Sequence, residues 1–263
     1  MKRTKLLIAV LLILAASLIL TGCPREPEEE IDPAADAGTW NTATLARDKS
    51  KDASYSANHR PDYFSSDKTT QIISFNFDYS EDRNAATYTD NDNNVHDYYA
   101  SSQQGTFKSF DFNPYFDSCI GFEVSIKKTS GEEASGYGVA FLFGNSTTGN
   151  GRTYYELFLC DDSYVLEYYD GTTFHGLSGG WVGSEFIKPV GQENVIKVAT
   201  RNDGKIGIYI NGELEGTLTP PDGSAVKGLV FPLGGIGYAD VTEPTASDVN
   251  ITWKFNKLQM QQQ

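Results

Sequence analysis

Two glutamates carry the strongest chemical signal in the chain. They lie in two short runs, Tyr154 to Cys160 and Ser163 to Tyr169, separated by Asp161 and Asp162. Polar and apolar residues alternate along both runs, the pattern of half-buried strands, and the Asp pair between them suits a tight turn. A hairpin turning there sets Leu157 against Leu166 and gathers Tyr155, Leu159, Tyr164 and Tyr168 on the same apolar side. The opposite side then carries Tyr154, Glu156, Phe158, Val165, Glu167 and Tyr169. A slip of one residue would put Glu167 among the apolar residues, so the pattern itself selects the first register. In that register Glu156 and Glu167 are directly opposed. Opposed carboxylates repel and call for a cation, a shared proton or a function. Cross-strand Cβ atoms stand about 4.5–5.5 Å apart, and retaining glycosidases hold their two carboxyl groups about 5–5.5 Å apart. The spacing therefore permits acid/base chemistry on a glycosidic bond.

Aromatic residues form the second signal. With 15 Tyr, 15 Phe and 3 Trp the chain has flat faces to spare for sugar rings, and the polar tips of Tyr and Trp can bond hydroxyl groups. Tyr154 and Tyr169 flank the glutamates, and Trp181 with His175 would form a lip above them; closing one end of the core is the other role open to Trp181. Tyr154, Glu156, Glu167, Tyr169, His175 and Trp181 are the candidate glycan-binding residues. His59, His96 and His175 have no zinc-like spacing with each other or with Cys. Asp90, Asp92 and Asn94 offer the oxygen ligands calcium takes, but the Gly and Glu of an EF-hand loop are missing, and an ordinary turn-rich loop fits the same residues. No cofactor is expected, with calcium at that loop the exception to test. No phosphate-cradling glycine motif opens a helix, which argues against nucleotide chemistry.

At the N-terminus Lys2, Arg3 and Lys5 precede an apolar run from Leu6 to Leu20, the layout of a signal peptide. It ends on Leu20, Thr21, Gly22 and Cys23, which resembles the lipobox of bacterial lipoproteins. That resemblance implies cleavage between Gly22 and Cys23, acyl chains on Cys23, and anchoring to a bilayer in the cell envelope, periplasmic or surface-exposed; two chains suffice for stable anchoring. Loss of residues 1–22 removes three bases and no acid, taking the formal charge from −14 to −17. So acidic a surface repels phosphate backbones, and nucleic acid is excluded as a partner. Cys119 and Cys160 remain, and a disulfide between them or two separate thiols are both compatible with export. Residues 23–70, rich in Pro, Glu, Asp, Ser and Lys, read as a lipidated, acidic tether in which Trp40, Tyr63 and Phe64 mark places that pack back on the domain.

Residues 71–259 read as one all-β domain. Expected strands are Gln71 to Tyr79, Thr106 to Phe112, Gly121 to Lys127, Tyr137 to Phe143 and Tyr154 to Cys160. They continue with Tyr164 to Tyr169, Asn194 to Thr200, Lys205 to Ile210, Gly228 to Pro232 and Val249 to Phe255. Asn202, Asp203 and Gly204 suit a three-residue hairpin loop, which pairs Val198 with Ile208 and Ile196 with Ile210, while Asn211 and Gly212 suit a type I′ turn.

From Gly121 to about Leu258 the chain is similar to the concanavalin A-like jelly rolls, in particular their laminin G-like members. The residues that carry the likeness are Gly121 to Ile126, Tyr137 to Phe143, Asn194 to Val198, Ile206 to Glu213 and Gly234 to Gly237. The resemblance implies a two-sheet antiparallel jelly-roll sandwich whose concave face binds or cleaves glycans. Glucanases of that fold place their acids along one strand in a Glu-x-Asp-x-x-Glu pattern that this sequence lacks. The expectation is therefore a non-enzymatic, lectin- or adhesin-like module that binds a glycan or glycoprotein. The alternatives are a glycoside hydrolase using Glu156 and Glu167, and a structural or protein-interaction lipoprotein of the envelope.

Overall fold

The computed structural model describes residues 32–48, 64–78, 87–89, 95–97, 101–104, 112–113, 119–131, 136–145, 152–160, 162–220, 230–236 and 248–261. Two units divide the chain, residues 1–33 and 34–263; of the first only Asp32 and Pro33 are described. The signal peptide, Gly22, Cys23 and the Asp90, Asp92 and Asn94 loop lie outside the described residues. No helix among the described residues is long and apolar enough to cross a membrane.

The described residues of the second unit fold as an all-β, two-sheet antiparallel jelly-roll sandwich. One sheet contains β1 (Thr39–Thr42), β3 (Phe64–Asp67), β4 (Ile72–Phe77), β9 (Cys119–Ser130), β15 (Glu193–Thr200), β16 (Ile206–Ile210), β17 (Glu213–Leu218) and β19 (Val249–Met260). Its order is β17, β16, β15, β9, β19, β4, β3, with β1 added beside the last residues of β19. The other contains β7 (Ser101–Gln104), β10 (Tyr137–Asn145), β11 (Arg152–Cys160), β12 (Ser163–Tyr169), β13 (Phe174–Gly176), β14 (Val182–Gly183) and β18 (Val230–Ile236). Its order is β13, β12, β11, β10, β18, β7, and β14 also pairs with β12. Two small ribbons join β2 (Thr44–Leu45) to β8 (Phe112–Asn113) and β5 (Thr87–Thr89) to β6 (Val95–Asp97).

Period-two alternation sends one side of each strand into the core between the sheets. Phe122, Val124, Ile126, Ile196, Val198, Ile251, Trp253 and Phe255 line it from the first sheet, and Val139, Phe141, Tyr155, Leu157 and Leu159 from the second, all at most 5% exposed. Phe122 meets Phe141 edge-on with ring centroids 5.5 Å apart. The Trp253 indole donates a hydrogen bond of 2.9 Å across the core to the Gly138 carbonyl. Burial of so large a side chain thereby leaves no polar atom of it unpaired.

Both expected turns close as their residues dictate. Gly204 has φ +77° and the Arg201 amide bonds the Lys205 carbonyl at 2.8 Å, so Val198 faces Ile208 and Ile196 faces Ile210. Asn211 and Gly212 have φ 52° and 95°, the left-handed pair a type I′ turn requires. The expected strands recur within a few residues of their bounds, except that Thr106 to Phe112 lies almost wholly outside the described residues.

The stretch read as tether is shorter than composition suggests. Thr39–Thr42 forms β1, and residues before it dock on the first sheet: the Ala37 amide bonds Thr200 O at 2.8 Å, the Asn202 amide bonds Ala35 O at 2.9 Å, and Asp36 meets Lys197 at 2.7 Å. Lys197 lies 5.4 Å from the Trp40 ring centroid. Backbone hydrogen bonds, the Asp36 carboxylate and one tryptophan hold this segment, which is why it carries no apolar alternation that a sequence could display.

Candidate functional site

The second sheet has one face in the core and an outer face on which the candidate residues can be placed strand by strand. Register between β11 and β12 is the expected one: Tyr154 faces Tyr169, Glu156 faces Glu167, Leu157 faces Leu166 and Phe158 faces Val165. The next strand sets Phe174 beside Tyr169 and Gly176 beside Glu167. Val182 pairs with Tyr164 on the core side, so alternation turns Trp181 to the outer side, where it meets the Phe158 ring edge-on at 6.5 Å. Three rows result. Tyr154, Tyr169 and Phe174 form the first, with centroids 5.1 Å (Tyr154 to Tyr169) and 4.8 Å (Tyr169 to Phe174) apart. Glu156, Glu167 and Gly176 form the second, and Phe158, Val165 and Trp181 the third.

The carboxylate row is unequal from end to end. Glu156 is 7% exposed and its partner on β10, Ala140, is fully buried. Glu167 is half-buried, whereas Gly176 is exposed. Access to the pair therefore comes from the β12 and β13 side. Phe158 owes its position to Gly136: a Cβ there would stand 1.9 Å from Cε1 of the Phe158 ring.

Trp181 does not close the core: it is 53% exposed, on the glutamate face. His175 does not belong to that face, which corrects its expected place in the lip. It pairs with Tyr168, a residue of the opposite side, and stacks on that ring at 6.3 Å. Its Nε2 lies 2.8 Å from Asp170 Oδ2. That contact, followed by the amides of Thr173 and Thr172, holds the Asp170 carboxyl down at about 2. The position that fills the lip is Phe174, 45% exposed. Its signal was the Asp170 and Gly171 turn, in which Asp170 Oδ1 accepts from the amides of Thr172 and Thr173 at 2.8 Å each and brings Phe174 level with Tyr169.

Cys119 and Cys160 are not joined in a disulfide. Phe122 packs on Phe141, which pairs with Tyr155; Cys160 is five residues further along β11, about 17 Å away, and Cys119 lies beyond Phe122 in the other direction. Their Cα atoms are thus far outside bridging range. Cys119 donates to the Gly121 carbonyl at 2.7 Å, and burial pushes its thiol up to about 12. No group of three or more His, Cys, Asp or Glu among the described residues is placed to hold a metal ion.

No protein-family model and no curated protein matches the sequence. Solved structures do match in fold. A prokaryotic β-1,3-1,4-glucanase (lichenase) derived from a mouse hindgut metagenome is 8% identical over 85% of this chain and 99% of its own, with a TM-score of 0.49. LamA of Z. galactanivorans, in complex with laminaritriose and laminaritetraose, is 13% identical over 85% of this chain and 95% of its own, with a TM-score of 0.47. A family 7 alginate lyase in complex with substrate is 13% identical over 85% and 94%, with a TM-score of 0.44. These likenesses concern the sandwich and assign no residue a role. The expected non-enzymatic lectin- or adhesin-like module is corrected only to this extent: enzymes, namely glucanases and alginate lyases, stand among these neighbours beside a galectin and a carbohydrate binding module, and the glycoside-active alternative is taken up below.

Proposed function

We propose that the chain is a glycoside hydrolase whose carboxylate pair is Glu156 and Glu167. The observation that carries this reading is their direct opposition across β11 and β12, between two aromatic rows on the outer face of the second sheet. One carboxyl group protonates the leaving oxygen of the glycosidic bond while the other attacks the anomeric carbon. Water then releases the covalent glycosyl intermediate, with the first group acting as base. The buried Glu156 and the half-buried Glu167 supply the inequality of environment that separates two such roles. Neighbouring Cβ positions favour the short carboxyl spacing of retaining enzymes, so the product keeps the anomeric configuration of the substrate.

Reducing-end release from a panel of neutral and acidic polysaccharides tests this. Glu156→Gln and Glu167→Gln are each expected to lower turnover by at least about 10²-fold while the folded protein persists. Full activity in both variants rejects the assignment. The lipobox-like residues around Cys23 support a second element of the reading, an enzyme held on a membrane of the cell envelope by acyl chains. Cys23→Ser is expected to move the protein from the membrane fraction to the soluble one, and retention in the membrane fraction counts against lipidation.

A further inference from the structure

The three rows end, on their open side, in Phe174, Gly176 and Trp181, an aromatic, a glycine and an aromatic. Rows along a strand are two residues apart, about 6.6–6.8 Å, so the glycine leaves a gap between two rings that are 45% and 53% exposed. Nothing in the fold demands glycine there. A Cβ on Gly176 would meet no atom within 4 Å, and its φ is not among the left-handed ones. Gly138, by contrast, has to be glycine, because a Cβ on it would stand 2.0 Å from the Leu157 carbonyl oxygen. Gly176 ends the three-residue edge strand β13, and a glycine in a sheet forfeits side-chain packing and leaves room for a ligand to approach the backbone closely.

We propose that Gly176 is the floor of a notch that seats one ring of a neutral glycan against Glu167. This rests on the carboxylate assignment above and adds the position and the chemical class of the bound sugar. Phe174 and Trp181 wall the notch along the strand direction and present ring faces to the apolar face of a sugar. Glu167, directly opposite Gly176, closes it on the inner side and accepts hydroxyl hydrogen bonds. The nine residues of the three rows include two carboxylates and no cation. An anionic sugar in the notch would meet the like charge of Glu167, whereas a neutral one meets an acceptor and stacking surfaces.

Steady-state kinetics on the full chain with Gly176→Ala, Gly176→Val and Gly176→Phe tests the proposal. Titration of neutral and acidic oligosaccharides into the Glu156→Gln variant, which keeps Glu167 in the notch, followed by tryptophan fluorescence, accompanies it. The expected result is a KM that rises with side-chain size, by about tenfold or more for Phe, in variants whose thermal midpoint is equal to or above that of the parent. Neutral oligosaccharides should bind and acidic ones should not. An unchanged KM in Gly176→Phe overturns the notch and leaves the carboxylate assignment standing. Tighter binding of acidic oligosaccharides overturns the neutral class. A parent chain that neither cleaves nor binds any member of the panel overturns both readings together.

Discussion

Replacing Asn194 by alanine is expected to cost about 3 kcal/mol of stability. Its side chain is fully buried at the start of β15 and makes four hydrogen bonds. Nδ2 donates to the Tyr137 hydroxyl and the Lys188 carbonyl at 2.9 Å each, while Oδ1 accepts from the Lys188 amide at 2.8 Å and from Asn211 Nδ2 at 2.7 Å. Each bond contributes about 1 kcal/mol net. Lys188 is exposed and Asn211 half-buried, so water can replace part of what they lose, whereas Tyr137 is 5% exposed and loses the Asn194 bond inside the sandwich. That discount brings about 4 kcal/mol down to about 3. For a domain of this size the thermal midpoint should fall by about 6–12 °C. Urea unfolding followed by tryptophan fluorescence measures the change, with an unaltered m-value showing that the unfolding transition itself is the same. A site-resolved readout is available too: the Lys188 amide, bonded to Asn194 Oδ1, should exchange its hydrogen faster in the variant. A loss below about 1 kcal/mol, or unchanged protection at Lys188, would refute the hub role given to Asn194.

Trp253→Phe removes the indole bond to the Gly138 carbonyl and shrinks a fully buried side chain; it should cost about 2–3 kcal/mol in thermal unfolding, and a midpoint unchanged from the parent would show that the cross-sheet bond contributes nothing. Asp170 has a folded-state value near 2 against the usual 3.8, with the His175 contact as the first cause. A depressed carboxylate stabilises the fold above its unfolded value and loses that contribution as the pH falls through about 2; carboxyl carbon NMR on His175→Ala should show the Asp170 midpoint moving up toward 3.8, and a stationary midpoint would leave the Thr172 and Thr173 amides as the sole cause. Alkylation of the native protein near neutral pH should modify Cys160 well before Cys119, since the thiolate is the reacting form and Cys119 is buried with its thiol pushed up to about 12; a Cys119 to Cys160 disulfide in peptide mapping would contradict the sheet assignment of β9 and β11.

The difference between the expected binding module and the enzyme proposed here turns on which pattern of acids counts as a site. A single strand carrying all the acids is one solution on a jelly roll, and its absence from this sequence favoured a non-enzymatic reading. Opposed positions on neighbouring strands bring two carboxyl groups close together, with Cβ atoms about 4.5–5.5 Å apart, without that motif.

The Glu156 and Glu167 pairing was legible from residue order alone. Period-two alternation and a two-residue turn are local properties, and a one-residue slip would bury a charge, so the hairpin had a single acceptable register. The Arg201 to Lys205 and Asn211 to Gly212 turns were legible for the same reason, because their backbone angles belong to the residues that form them. Everything that depends on which strands become neighbours across the chain was decided by the tertiary structure. Pairing of β13 with β12 assigned His175 to the Tyr168 side and handed the lip to Phe174; pairing of β1 with β19 drew Thr39–Thr42 out of the tether; and the shared direction of β9 and β11, one in each sheet, set Cys119 at the start of one and Cys160 at the end of the other, at opposite ends of the core. Such neighbours are chosen by closure of long loops around one shared apolar core, a global energy balance that no local spacing encodes.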